Sequence, residues 1–391
     1  MKATMSGFDL RAVARELNHF SGAYVKKAYM PHYEQIVLRI NPKDIDQFDL
    51  VLVRGSRIYT SNRDRPMPMT PPPFAMVLRK HLKNARMTGV RQLGFDRVLC
   101  FDFDTKFGQY HLYVEVFRDG NIILTDAEDT IIQPLTHASY AGRTLKKGVI
   151  YQPPPPAMDP HEIELEDLVN MFETSDRDLV STLGGKVNLG GTHANAVCAL
   201  AGMEANIDTQ KADAQKIHTA LQSLLKDLAE SKEGFLLLKP DKETSKEDLE
   251  QQSAAHEPNG KRDRFFEQFA CEATPTLLPS HTTLTQIKFP TLCQAVDAWK
   301  GAHDAMALAR REAEKLDIAA PGRGHSTDVE RLERRKVQQE KALKGFSVKI
   351  EKQQMLGHLI QNNWTHIESL LSQVSAACLL YTSDAADELR S

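Results

Sequence analysis

Residues 97–126 contain three runs in which apolar and polar positions alternate: RVLCFDF, YHLYVEVF and NIILTD. The last two flank Arg118-Asp119-Gly120-Asn121, a strong signal for a tight hairpin turn. In the first run Leu99, Phe101 and Phe103 alternate with Cys100, Asp102 and Asp104. A period of two is the spacing of a strand with one buried and one wet face. Two further runs upstream, QIVLRI and DLVLVRGSRIYTS, read the same way, the second turning at Gly55-Ser56. Such a series of short strands closed by tight turns predicts a mostly antiparallel sheet.

Helices are interleaved with these strands. SGFDLRAVARELNHF places Ser6 as an N-cap ahead of Leu10, Val13, Leu17 and Phe20 at helical spacing. Asp9 then falls in the first turn, where the helix dipole favours an anion. PMPMTPPPFAMVLRKHLKNAR enters a second helix through prolines, with Phe74, Val77, Leu78 and Leu82 facing inward. Arg79, Lys80, Lys83 and Arg86 cover its other side and are candidate phosphate contacts, against the plainer reading of a solvated face. The fold class is therefore α+β, with an N-terminal unit over residues 1–155 that ends at the stiff polyproline linker YQPPPPAMDP.

Residues 160–235 are assigned as a helix-hairpin-helix region, of which 161–209 read as helical. Within them LVSTLGGKVNLGGTHANAVCALAGM carries the pattern of a helix-hairpin-helix, whose sharp turn at Gly190-Gly191 offers backbone N–H groups to a phosphate. Asn188 stands where such hairpins usually have their first glycine, and Asn tolerates positive φ; a plain connector between helices is the alternative. Residues 236–300 are assigned as a return segment to the N-terminal unit, and KETSKEDLEQQSAAHEPNGKRDR reads as a flexible polar loop. From Val329 to Val374 a heptad runs unbroken, with ten apolar seam positions out of fourteen, so residues 301–376 are expected to be the first half of a coiled-coil arm. DIAAPGRGHSTD breaks the helix before it. The terminal CLLYTSDAADELRS leaves the heptad abruptly, and residues 377–391 are expected to be a non-native tail on a truncated gene product.

The composition limits the classes of function. The 391 residues, 41% of them hydrophobic, suffice for two or three units. Net charge is −3, but residues 1–150 hold 22 Lys and Arg against 15 Asp and Glu, a local +7 that leaves −10 for the remainder. That asymmetry points to an anionic partner for the N-terminal half. Five scattered cysteines, Cys100, Cys198, Cys271, Cys293 and Cys378, form no CxxC, so no disulfide framework or zinc finger is expected. The N-terminus has no apolar h-region, and no stretch approaches the ~20 apolar residues of a membrane span, so the expectation is a soluble, cytoplasmic protein. P-loop, Ser/His/Asp motif and metal-ligand spacing among the 14 histidines are all missing, so no catalysis, cofactor or metal is expected.

The sharpest candidate site is Asp96-Arg97, just before the strand RVLCFDF. Arg97 offers a planar fork that can grip a phosphate or stack on an unpaired base. A phosphate would repel Asp96, so an acid here favours reading a base edge or a ribose hydroxyl. Neighbouring strand residues point to opposite faces, so both can meet one ligand only ahead of the strand, an irregular entry that Gly94 permits. The alternative is two separate surface ion pairs, worth at most about 1 kcal/mol each.

MKATMSGFDLRAVARELN, PMTPPPFAMVLRKHLKNARMTGVRQLGFDRVLCFDF, GNIILTD, LGGTHANAVCALAGM and the arm with QQEKAL occur in the order seen in the NFACT family of ribosome-quality-control factors, the NEMF and RqcH type, and the chain resembles that family up to about residue 375. The resemblance implies an RNA-binding adaptor without catalysis. Its expected partners are large ribosomal subunits obstructed by peptidyl-tRNA, and tRNA, alanyl-tRNA especially, recruited for untemplated tailing of the stalled chain. A ubiquitin ligase joins them in eukaryote-like systems. It implies tRNA-engaging roles for Asp96, Arg97 and Asp9, and an N-terminal domain similar to that of formamidopyrimidine-DNA glycosylases. Met1-Lys2-Ala3 lacks the N-terminal proline nucleophile those enzymes use. A coiled-coil scaffold or fibronectin-binding type of adhesin is the alternative function.

Overall fold

A computed structural model describes residues 4–311, apart from 119, 141, 242–243 and 256–259, together with residue 336 and residues 353–374. The chain divides into a unit of residues 1–315 and a second unit of residues 316–391.

In the first unit nine strands form one antiparallel sheet. They are β1 (Tyr24–His32), β2 (Gln35–Asn41), β3 (Phe48–Val53), β4 (Arg57–Ser61), β5 (Arg86–Gln92), β6 (Val98–Thr105), β7 (Gly108–Glu115), β8 (Ile122–Asp126) and β9 (Ile131–Pro134), in the spatial order β4-β3-β2-β1-β5-β6-β7-β8-β9. The predicted turns fall where expected. Gly55, at φ +65°, turns β3 into β4, and residues 116–121 join β7 to β8 with Val114 opposite Ile122. These two turns touch, Gly55 N–H donating to the Glu115 carbonyl at 3.2 Å, so the halves of the sheet come together over one core. That core contains Ile36, Leu38 and Leu50 from one half and Leu99, Phe101 and Phe103 from the other, all fully buried.

Two helices flank the sheet. α1 (Gly7–Asn18) begins at Ser6, as predicted, and buries Leu10, Val13 and Leu17. α2 (Pro73–Leu82) enters through Pro72 and Pro73 and buries Phe74, Leu78 and Leu82. One expectation is corrected. The second face of β6 is not wet at its start, because Val98 and Cys100 are buried under Tyr113, Ile131, Leu145 and Tyr151. Leu145 lies on a small hairpin of β10 (Ala138–Tyr140) and β11 (Arg143–Leu145).

Past the prolines α3 (Leu165–Glu173), α4 (Leu179–Gly185), α5 (Gly190–Leu200) and α6 (Ala214–Glu230) share a second core built on Leu168, Leu183, Val197, Leu221 and Leu224. The chain then returns to the first core. β12 (Gly234–Leu238) pairs with β13 (Ala270–Thr274) and β14 (Thr285–Phe289), and α9 (Leu292–Val296) follows. Leu236, Leu292, Val296 and Trp299 join the core of the large sheet. Glu16 of α1 accepts the first N–H groups of α9, from Leu292 at 2.6 Å and Cys293 at 3.0 Å.

The polar stretch expected to be a loop instead contributes α7 (Lys246–Ala255) and α8 (Gly260–Phe269). A few apolar anchors suffice to dock them, since Leu249 and Phe266 are fully buried, and Asp263 takes both Nη groups of Arg63 at 2.8 Å. The short α10 (Ala302–Ala305) closes the unit, its Asp304 bonded to Arg57 and Tyr59.

In the second unit residues 353–374 are helical apart from a turn at Asn363. Ile360, Trp364, Leu371 and Val374 of the predicted seam are exposed there. The heptad from 329 to 352 except Lys336, the break at DIAAPGRGHSTD, Cys378 and the tail 377–391 lie outside the described residues.

Candidate nucleic-acid interface

The Asp96-Arg97 pair sits in the irregular turn between β5 and β6, ahead of the first strand residue. Gly94, at φ +54°, makes the entry, and the Asp96 N–H closes the turn on the Leu93 carbonyl at 3.0 Å. Main-chain carbonyls fix the turn in place. The Gln92 Nε2 donates to the Asp96 carbonyl at 2.9 Å and to the Gly7 carbonyl at 3.0 Å, and Val116 N–H donates to the Arg97 carbonyl at 2.7 Å. The Arg97 side chain enters none of these bonds. Arg97 is exposed and Asp96 half-buried. Among the described residues neither makes an ion pair, so two separate surface pairs are not what the turn contains. Burial pushes the Asp96 carboxyl above its ordinary value, against the opposing pull of the Ala157 N–H and of the Arg97 charge.

α1 clamps this turn. Phe8 packs edge-on against Phe95, with ring centroids 4.6 Å apart. Arg11 lies over the same ring at 5.0 Å, donates to the Gly94 carbonyl at 3.1 Å and to Gln92 Oε1 at 3.0 Å, and pairs with Asp159 at 3.1 Å. Asp9 is 1% exposed and completes a capping box with Ser6, taking its N–H and hydroxyl at 2.7 Å. The structure thus places Asp9 buried at the start of α1, bonded to Ser6. Its carboxylate orders the helix that carries Phe8 and Arg11.

The linker after the prolines ties the turn to the helical hairpin. The Ala157 N–H lowers the Asp96 carboxyl against the effect of its burial, and the next residue, Met158, accepts from Asn188 Nδ2 at 3.2 Å. Asn188 adopts φ +61° and Gly190 φ +69°, so the asparagine takes the left-handed conformation its position requires. Nothing lies within 4 Å of where a Cβ would stand on Gly190 or Gly191, which leaves the backbone of that corner open to a ligand. Lys186, inside the same corner, is exposed, and its place in a Gly-rich turn was a signal that could have been used. The contribution of Arg11 and His161 was not visible in advance, since they meet across 150 residues.

The other predicted phosphate contacts are not brought to this place. Arg86 opens β5 and the Asp96 turn follows its far end, six strand steps or about 20 Å away. Arg79 is committed to the Ala28 carbonyl at 2.7 Å and to the Tyr29 ring at 5.3 Å. Lys80, Lys83 and Arg86 are exposed, and Arg79 and Lys83 line a groove of about 370 Å³ with Lys26 and Lys27. This is a second basic surface, separate from the turn.

Comparison with known proteins places this geometry in a family. The chain is 26% identical over 393 residues to the archaeal Rqc2 homolog aRqcH of Methanocaldococcus jannaschii, covering 96% of this chain and 53% of that protein. It is 40% identical over 136 residues to the ribosome quality control complex subunit NEMF of Homo sapiens, covering 34% of this chain and 12% of that protein. The chain therefore spans about half the length of its archaeal relative and far less of the human one. Among solved structures, the N-terminal part of the fibronectin/fibrinogen-binding protein of Streptococcus suis superposes with a TM-score of 0.55 at 21% identity, over 77% of this chain and all of that one. The fibrinogen-binding protein of Staphylococcus aureus gives 0.54 at 17%, over 75% and 97%. At that identity the likeness shows the fold alone. The family described as NFACT N-terminal and middle domains matches residues 6–378, and the chain belongs to the NFACT family.

Proposed function

We propose that this chain is an RNA-binding adaptor of ribosome quality control that engages tRNA on obstructed large ribosomal subunits through the Asp96-Arg97 turn. One observation carries the reading: an arginine that is exposed and, among the described residues, in no ion pair shares with a half-buried acid a turn held by its own carbonyls, beside a linker whose Met158 is bonded to an open Gly-rich hairpin. Arg97 supplies the charge and the flat stacking surface, and Asp96 accepts from a base edge or ribose hydroxyl. The hairpin corner at Gly190 and Gly191 contacts phosphate through its N–H groups. Asp9 acts by ordering α1.

The relatives carry names of the Rqc2, NEMF and RqcH type, which supports ribosome quality control as the setting. Within it the finer reading is preference for alanyl-tRNA, untemplated C-terminal tailing of the stalled chain, a cytoplasmic location and, in eukaryote-like systems, a ubiquitin ligase as partner. Residues 301–376 serve as a coiled-coil arm, reaching along the subunit from the units over 1–155, 160–235 and 236–300. No helix among the described residues is long and apolar enough to cross a membrane.

The experiment is crosslinking of the full-length gene product in cells, followed by sequencing of the attached RNA. Recovery of tRNA and large-subunit rRNA, with tRNA selectively depleted in Arg97→Ala, is expected. Recovery of neither RNA would overturn the reading.

A further inference from the structure

We propose that Cys100, Asp102 and His111 form a three-ligand site for a zinc-class divalent cation on the sheet. The three donors come together through strand pairing. Cys100 and Asp102 are two residues apart on β6 and so share a face, and His111 of β7 lies directly opposite Asp102. Their donor atoms all lie within 4.8 Å of one another. The Cys100 Sγ stands 3.3 Å from Asp102 Oδ1, and His111 Nδ1 stands 2.7 Å from the same oxygen. Among the described residues no other group of three such side chains is so arranged.

The chemistry of the set selects the ion. Thiolate, imidazole and carboxylate together suit zinc, with bonds of about 2.0–2.3 Å, rather than the all-oxygen preference of calcium or magnesium. Two anionic ligands balance a dication. Opposite Asp102 on β5 is Gly89, where a Cβ would stand 3.7 Å from Asp102 Oδ2. Beside it Arg91 donates to Oδ2 from its Nε at 3.2 Å. Its Nη2 also reaches Oδ1 at 3.4 Å, so the guanidinium orients the whole carboxylate while Oδ1 faces the thiol and the imidazole as well. Asp102 and His111 are partly exposed, which gives an ion a way in, whereas Cys100 is buried. On binding, the Cys100 thiol releases its proton to solvent, and His111 carries its proton on Nε2 so that Nδ1 is free to ligate. The ion would staple β6, the strand that starts one residue after Arg97, to β7, independently of what the turn binds.

The plainer account is an Arg91-Asp102-His111 ion-pair network with Cys100 as a packed neighbour. Titration of the metal-free full chain with Co²⁺ separates the two. The expected result is about one Co²⁺ per chain with a thiolate-to-cobalt absorption band, displaced by Zn²⁺, abolished in Cys100→Ser and at least about tenfold weaker in His111→Ala. Circular dichroism checks that Cys100→Ser is folded, and if it is not, the partly exposed His111→Ala decides alone. Absence of the band, or a band equally strong in both folded variants and so arising from another cysteine, would overturn the proposal.

Discussion

Asp96 occupies a position that penalises its charge. Burial raises its carboxyl above the ordinary value by more than the Ala157 N–H and Arg97 lower it. A carboxyl with a raised value in the folded state adds stability below its unfolded value and loses it as pH rises through the folded one, so at neutral pH the ionised side chain works against folding. Asp96→Asn removes the charge at nearly constant shape. Its thermal midpoint should stay within about 2 °C of the parent, or rise, while tRNA affinity falls about fivefold. A calorimetric scan beside a filter-binding isotherm checks both, and a lower midpoint with unchanged affinity would make Asp96 a structural residue only. The location of this pair was legible because Gly94 and the alternation after Val98 mark where a strand begins. The place of Asp9 in the first turn of α1 was legible too, from Ser6 three residues earlier, though its bond back to Ser6 was not read. Arg11 was not, because its partners Gln92 and His161 lie 81 and 150 residues away and no local pattern encodes them.

Among the elements, the helical hairpin depends on two left-handed residues. Asn188→Val forces a branched side chain into φ +61° and should cost about 1–2 kcal/mol in urea unfolding, whereas Asn188→Gly should cost far less. Equal losses for both would mean that the Met158 bond, not the backbone, matters there. A second junction is the end of the chain's return. Asp304 accepts from Arg57 Nε and from the Tyr59 hydroxyl, both at 2.8 Å, and meets His303 Nδ1 at 3.1 Å; against burial, which raises it, His303, Arg57 and Tyr59 together hold its carboxyl well below the ordinary range. A lowered value in the folded state gives stability that is present above the unfolded value and is lost progressively as pH falls from it towards the folded value, so acid weakens this junction while the folded carboxylate still keeps its charge. Asp304→Ala leaves a buried guanidinium unpaired and should destabilise by about 3–5 kcal/mol in the same measurement. Helix α7 and the start of α8 were misread as loop because the stretch up to Arg264 is polar. Leu249, Phe265 and Phe266, with Phe269 and the Asp263–Arg63 pair, anchor them, and tertiary contacts rather than periodicity make them helical. The wet face expected on β6 failed for a similar reason, since Leu145 and Tyr151, distant in sequence, cover it.

For the whole molecule, the large sheet and the return segment share one core, with Trp299 and Leu292 packed among the residues of β1–β8. A fragment of residues 1–155 would expose that surface and lose the cap that Glu16 gives α9. It should therefore aggregate or lack a cooperative melt, and fold when produced together with 156–311. A monomeric fragment with a sharp transition would contradict the shared core. The antiparallel sheet, the break at the prolines and the hairpin were readable because each is a local signal; the joining of residue 16 to 292 is not local. The central claim is that RNA is gripped at the Asp96-Arg97 turn and not on the separate basic surface of α2. Binding of a purified tRNA by the full chain, compared at two salt concentrations for the parent, Arg97→Ala and the double variant Lys80→Ala/Lys83→Ala, tests it most directly. The account predicts a loss of about tenfold or more for Arg97→Ala and only a modest, salt-sensitive loss for the lysine pair, whereas the reverse order would contradict it.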